Sequence, residues 1–148
     1  MRSEWVMLRH QWSDKVTIQH TMHALILGLC SLVLSQSAWS RPLDITTEDN
    51  VRIHAEISGR GSHGVLLVHD RNRSNVAWKL FAEKLSTKGF RVLAIDLRGH
   101  GKSSKPDGEA NYPSMVNDVK AGLKTLRRYQ LKGVSIIGAD VGANLALT

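Results

Sequence analysis

The sequence contains very little cysteine, and this absence removes several kinds of chemistry. Cys30 is the single cysteine in 148 residues, and it lies in an N-terminal segment that we expect to be removed. A mature chain without cysteine forms no disulfide bond and offers no thiol nucleophile. No cysteine or histidine cluster has the spacing of metal ligands. We therefore expect neither a metal nor another cofactor.

A long run of basic residues is also missing, although the net charge is positive. The formal charge is +7, with 42% hydrophobic and 22% charged residues, a composition typical of one globular domain. The lysines and arginines are scattered between Arg71 and Lys132, which favours a solvated basic surface over a nucleic-acid site. The expected partner is a small-molecule substrate and no nucleic acid.

The N-terminal region is predicted to be a signal peptide covering residues 1–40. Its apolar stretch, residues 24–34, is too short to span a bilayer, so we expect no stable membrane anchor; an uncleaved anchor is the alternative. Ala38 and Ser40 are small residues at the −3 and −1 positions of a cleavage site before Arg41. Met22 offers an alternative start. The protein is accordingly expected to be secreted or periplasmic.

Strand and helix patterns alternate along the rest of the chain. Apolar runs predict strands at residues 43–47, 51–57, 65–68, 91–96 and 134–137. Apolar residues at helical spacing predict two helices, one with Ala77, Leu80, Phe81 and Leu85, the other with Val116, Val119, Leu123 and Leu126. The alternation predicts an α/β fold with a mainly parallel sheet and helices on both faces.

Three motifs follow three of these strands: His69-Asp70-Arg71-Asn72, the run Asp96-Leu97-Arg98-Gly99-His100-Gly101-Lys102-Ser103, and Gly138-Ala139-Asp140-Val141-Gly142. The third motif predicts a strand that turns sharply into a helix, because glycines let the two backbones pack closely. Together the motifs resemble those of the α/β-hydrolase superfamily. The resemblance covers residues 44–148 and only the N-terminal half of that fold.

The resemblance places Asp140 at the nucleophile elbow, where most members carry serine. It implies that the backbone N–H groups of Val141 and Arg71 form the oxyanion hole and that Gly138 and Gly142 are the elbow glycines. A carboxylate nucleophile, as in haloalkane dehalogenases and epoxide hydrolases, attacks an alkyl carbon and leaves an ester for water to cleave. The residues around Asp140 look more like those of dienelactone-hydrolase-type esterases. Ester, epoxide and carbon–halogen substrates are therefore all expected classes.

Two other interpretations of the chain stay open. Asp140 could be a helix N-cap in an inactive relative that lost its nucleophile, or the chain could be a non-functional truncated fragment. The superfamily's chain order is nucleophile, acid and then histidine, but only eight residues follow Asp140 and none is Asp, Glu or His. We therefore expect residues 41–148 to be the N-terminal part of a longer hydrolase domain, without the catalytic acid and histidine.

Three further polar residues in the motifs are expected to order loops. His69 ends a buried strand, His100 lies in a glycine-rich turn, and Asp96 follows the next strand. In the superfamily these positions shape the loops around the site and do not take part in the reaction.

Overall fold

The computed structural model describes residues 40–105 and 111–147. The predicted signal peptide, apart from Ser40, and the alternative start at Met22 lie outside these residues. The described strands are β1 (Arg41–Thr46), β2 (Arg52–Ser58), β3 (His63–Val68), β4 (Phe90–Ile95) and β5 (Gly133–Gly138). The helices are α1 (Lys79–Thr87), α2 (Tyr112–Arg127) and α3 (Val141–Ala146), and a 3-10 helix (Asn75–Trp78) precedes α1. No helix in this part of the chain is long and apolar enough to cross a membrane.

The strands form one sheet in the order β1-β2-β4-β3-β5. Strand β2 is antiparallel to β1 and β4, whereas β3 is parallel to both β4 and β5. All the strands except β2 therefore run in one direction, which confirms the mainly parallel sheet. The register aligns Val68 with Ile95 on one side and with Gly138 on the other. The three motifs consequently meet at one edge of the sheet, where open α/β sheets bind their ligands.

The two faces of the sheet carry separate apolar cores, because successive strand residues point to opposite faces. One core combines Leu66, Val68, Leu93 and Ile95 with Val119 and Leu126 of α2 and Leu145 of α3. The other core combines Val65, Leu67, Val92 and Ala94 with Trp78, Ala82 and Leu85. Helices thus cover both faces, as the sequence predicts.

The predicted apolar stripe of the first helix was wrong in part. Leu80 is 72% exposed and Phe81 is 38% exposed. The helix contacts the sheet through Leu85, which the stripe included, and through Ala82, which it did not. The chain forms a 3-10 helix up to Trp78, which has about three residues per turn. A stripe counted at α-helical spacing from Ala77 therefore falls out of phase with the buried face.

Arg98 connects the loop after β4 to α2 and to the β1–β2 hairpin. Its side chain is 2% exposed, and Nε donates to Oδ1 of the fully buried Asp118 at 2.9 Å. The backbone N–H of Arg98 donates to Oδ2 of Asp118 at 2.8 Å, and Nη1 donates to Oδ2 of Asp49 at 2.6 Å. The hydrogen bonds from Arg98 lower the pKa of Asp49. This network fixes the loop that carries the second motif.

Replacing Arg98 with methionine is expected to lower the free energy of unfolding by about 3–5 kcal/mol, because Asp118 would keep a buried charge without a partner. Urea unfolding at neutral pH measures the loss. Arg73→Met is the control, since Arg73 is exposed and its Nε lies 3.9 Å from Asp70; that change should cost less than about 1 kcal/mol. Equal losses of unfolding free energy in the two variants would contradict a central role for the Arg98 network.

Candidate active site

The turn between β5 and α3 holds Asp140 in an unusual backbone conformation. Its φ is 49° and its ψ is −114°, a region that costs a non-glycine residue about 1–3 kcal/mol and that clusters at functional sites. The side chain is exposed and makes no capping hydrogen bond to α3. The backbone carbonyl of Asp140 instead accepts from the N–H groups of Ala143 and Asn144 at 3.0 and 3.2 Å. Asp140 thus occupies the N-cap position of α3, but its carboxylate does not cap the helix.

The two glycines of this turn allow backbone segments to touch directly. A Cβ atom on Gly138 would collide with the carbonyl oxygen of Gly142 and lie 2.5 Å from the nitrogen of Ala143. A Cβ atom on Gly142 would collide with the carbonyl oxygen of Val68 and lie 2.7 Å from that of His69. Helix α3 thus begins against the end of β3, and this contact brings the first and third motifs together.

Arg71 and Val141, the two residues of the expected oxyanion hole, line the same cavity; Val141 directly follows Asp140, which is not itself part of the lining. The cavity has a volume of about 190 Å³, and its lining consists of Arg71, Leu97, His100, Tyr112, Met115 and Val141; we call it the Asp140-side cavity. Within the described residues, the backbone N–H groups of Arg71 and Val141 donate no hydrogen bond. Two unused donors are thus available beside the Asp140 turn.

His69 has both ring nitrogens occupied. It is 1% exposed; its Nδ1 lies 2.7 Å from the carbonyl oxygen of Asp70, and its Nε2 accepts from the N–H of Leu97 at 3.0 Å. Burial lowers the pKa of His69, so the ring is neutral near pH 7 and connects the first motif to the second. This confirms that His69 orders a loop.

Asp96 also holds loop backbone in place through hydrogen bonds. Its carboxylate accepts from the backbone N–H groups of Asn75 at 2.6 Å and Lys102 at 2.8 Å. A Cβ atom on Gly101 would collide with this carboxylate, which explains why the second motif has glycine at position 101. Asp96 is 1% exposed, and both of its carboxylate oxygens are occupied by backbone N–H groups.

The structure adds His100, Tyr112 and Met115 to the residues around the candidate site. His100 is half-buried, with Nδ1 donating to the carbonyl oxygen of Arg98 at 3.0 Å, and it was expected only to shape a turn. Tyr112 and Met115 lie in the first turns of α2, and no motif pointed to them. Pro113 marked the start of this helix, but only the packing of α2 against the sheet shows which of its residues reach the cavity.

A second, larger opening of about 340 Å³ lies between β1 and α2. Lys120, Lys124 and Arg128 line it together with Asp44 and Glu48, so cations and carboxylates offset each other there. None of the three motifs contributes to it. Within the described residues, no group of three or more His, Cys, Asp or Glu side chains is arranged to hold a metal ion.

A family model described as the alpha/beta hydrolase fold matches residues 63–148, which is more than half of the chain. The protein therefore belongs to the α/β-hydrolase family, and the resemblance seen in the three motifs is confirmed. The topology and the glycine contacts of the Asp140 turn agree with this assignment.

Three relatives illustrate the similarity. The AB hydrolase superfamily protein YisY of Bacillus subtilis is 31% identical over 103 residues, or 70% of this chain and 37% of that protein. A haloalkane dehalogenase of Agrobacterium fabrum is 32% identical over 97 residues, or 66% of this chain and 30% of that enzyme. The solved esterase Pf2001 of Pyrococcus furiosus is 30% identical with a TM-score of 0.69, covering 75% of this chain and 44% of that one. The chain thus spans less than half the length of these relatives.

Gly138→Ala should lower the free energy of unfolding by more than about 2 kcal/mol, because the new methyl group would overlap fixed backbone atoms. Gly133→Ala is the matched control at the other end of β5, where a Cβ atom would have only the His63 side chain nearby, at 3.5 Å or more. Urea unfolding of both variants measures the difference. A Gly138→Ala protein as stable as the control would show that α3 does not pack as closely as described.

Proposed function

We propose that this protein is a hydrolase in which the carboxylate of Asp140 attacks a carbon atom bearing a halide or an epoxide oxygen. The observation that carries the proposal is the backbone of Asp140, whose φ of 49° and ψ of −114° present an exposed carboxylate that caps nothing. Strain of this kind is retained where the surrounding structure serves a function. The relationship to a haloalkane dehalogenase supports the same chemistry.

The reaction proceeds in two steps. An Asp140 oxygen forms a bond to the substrate carbon while the carbon–halogen bond breaks, and the halide leaves with the bonding electrons. Water then attacks the carbonyl carbon of the resulting ester, which releases an alcohol and a proton and restores the carboxylate. With an epoxide, the ring oxygen is the leaving group and takes up a proton.

The second step builds negative charge on an ester oxygen. In this proposal the unused N–H groups of Val141 and Arg71, on residues lining the Asp140-side cavity, stabilise that charge. Removing one such donor slows an acyl transfer by about 100- to 1000-fold. Water also needs a general base, which this family positions after the nucleophile in chain order. Activity tests therefore use the protein as its gene encodes it.

A single turnover in water labelled with oxygen-18 tests the proposal directly. Because water attacks the carbonyl carbon of Asp140, one labelled oxygen should remain in its side chain, and the peptide containing Asp140 should gain about 2 Da in mass spectrometry. Bromoethane and an alkyl epoxide serve as substrates. Label in the released alcohol and none in the peptide would show that water attacks the substrate directly.

Asp140→Asn provides the matched control, because an amide keeps the size of the side chain but does not attack carbon at a useful rate. Halide release should fall by at least about a thousandfold while the urea unfolding midpoint stays near that of the unchanged protein. An Asp140→Asn variant that retains activity would contradict a nucleophilic role for Asp140.

A second candidate is an inactive relative of serine esterases in which aspartate has replaced the nucleophile. The similarity to the Pyrococcus furiosus esterase and the small residues around Asp140 favour it. In that case the unchanged protein cleaves no halide, epoxide or ester, and Asp140→Ser restores hydrolysis of p-nitrophenyl acetate, since the oxyanion donors are backbone groups that the substitution keeps. Turnover of haloalkanes by the unchanged protein contradicts this second candidate.

We also propose that the protein is exported. The first described strand begins at Arg41, the residue that follows the predicted cleavage site, so removal of the leader would leave the sheet intact. N-terminal sequencing of protein recovered outside the cytoplasm should begin at Arg41. Mature protein that retains Met1 or Met22 would contradict cleavage.

A further inference from the structure

Arg71 lines the Asp140-side cavity without an ionic partner. Within the described residues its side chain makes no ion pair and no hydrogen bond. Arg73 in the same loop differs, since its Nε lies 3.9 Å from Oδ1 of Asp70 and it does not line the cavity. A guanidinium offers a planar pair of donors that matches the two oxygens of a carboxylate. Arg71 is therefore a candidate binding group for an anion.

The rest of the cavity suits a small organic acid. Tyr112 also lines it, and within the described residues its hydroxyl has no hydrogen-bond partner, so it supplies a second donor. Leu97, Met115 and Val141 supply an apolar wall. A volume of about 190 Å³ accommodates a ligand the size of roughly six water molecules. A short carbon chain with one charged end fits this lining.

The charges at this edge of the sheet also favour an anion. Four exposed cations follow the ends of β3 and β4, namely Arg71, Arg73, Lys102 and Lys105. The opposing carboxylates that are not fully buried are Asp70 and Asp140, among the residues described in the loops of the three motifs. Cations at this edge attract an anionic substrate; the loop after β4 also carries Asp107 and Glu109, which lie outside the described residues.

We propose that the substrate carries a carboxylate, which Arg71 binds, and that it is a short halogenated carboxylic acid. The inference rests on the proposed function, because Asp140 displaces the halide. The carbon–halogen bond breaks as the bond to the Asp140 oxygen forms, the halide leaves as an anion, and hydrolysis of the ester releases a hydroxy acid. Arg71 acts twice in this scheme, through its side chain on the carboxylate and through its backbone N–H on the ester.

Bromoacetate and bromoacetamide are the test pair, since they share the leaving group and the reacting carbon but differ in charge. The unchanged protein should release bromide from bromoacetate with the higher kcat/KM. Arg71→Gln keeps the backbone N–H, so it should lower the ratio of kcat/KM for bromoacetate to kcat/KM for bromoacetamide by about tenfold or more; an unchanged ratio would contradict the inference. Arg71→Lys should restore part of that ratio, and Arg73→Gln should lower it far less than Arg71→Gln does, because Arg73 does not line the cavity.

Binding of propionate, measured by titration calorimetry on the full-length protein, separates this inference from the proposed function because it needs no turnover. We expect binding to the unchanged protein and a loss of about tenfold or more in affinity with Arg71→Gln. Suppose that neutral haloalkanes are hydrolysed but that propionate binds both proteins equally or not at all. The inferred carboxylate-binding site at Arg71 is then contradicted, whereas the proposed nucleophilic role of Asp140 is supported. If propionate binding depends on Arg71 but no halide is released, the carboxylate-binding site is supported and the proposed dehalogenation by Asp140 is contradicted.

Discussion

The direct backbone contact between the start of α3 and the end of β3 is the constraint on which the candidate site depends. Gly142 lies against the carbonyl oxygens of Val68 and His69, and Gly138 lies against Gly142. No other residue type fits at either place, because any side chain would occupy the space of fixed backbone atoms. The contact forces Asp140 into its positive φ and places Val141 beside Arg71 at one cavity.

Buried polar groups around the site hold the loops in place and leave the reacting groups free. His69, Asp96 and Arg98 are each almost fully buried, and all three have their hydrogen-bonding atoms occupied by loop backbone or by carboxylates. Polar groups buried in this way must be paired, because an unpaired one costs about 1–3 kcal/mol. Within the part of the chain that the structure describes, the exposed side chains of Asp140 and Arg71 have no such partners. Hydrogen bonding therefore distinguishes the buried residues that hold the loops from the exposed residues of the candidate site.

The distribution of charge links the site to the kind of substrate it can accept. A positive chain with scattered basic residues places four of its exposed cations in the loops at the edge where Asp140 lies. The proposed carboxylate nucleophile requires an electrophilic carbon with a leaving group, and the inferred carboxylate site requires a substrate with a negative charge of its own. Both requirements are met by one small molecule, since the charge and the leaving group occupy different atoms.

Sequence patterns predicted most of the fold but only part of the site. Apolar periodicity predicted the five described strands and the helices on both faces, because burial on a sheet imposes period two and burial on a helix imposes a longer period. Apolar periodicity failed at Leu80 and Phe81, because the preceding 3-10 helix changed which residues of the helix face the sheet. The motifs indicated Asp140, Val141 and Arg71, but no local pattern indicated Tyr112 or Met115, which reach the cavity only through the packing of α2.

The sequence by itself determined the order of the elements, the family and the residue at the Asp140 position, because these depend on residue types and short spacings. Only the tertiary structure decided that the Asp140 side chain does not cap α3, that His69 has no free ring nitrogen, and that Arg71 has no ionic partner within the described residues. Each of these facts concerns which groups lie within hydrogen-bonding distance across the chain. Such distances are set by the packing of strands and helices that are remote in sequence.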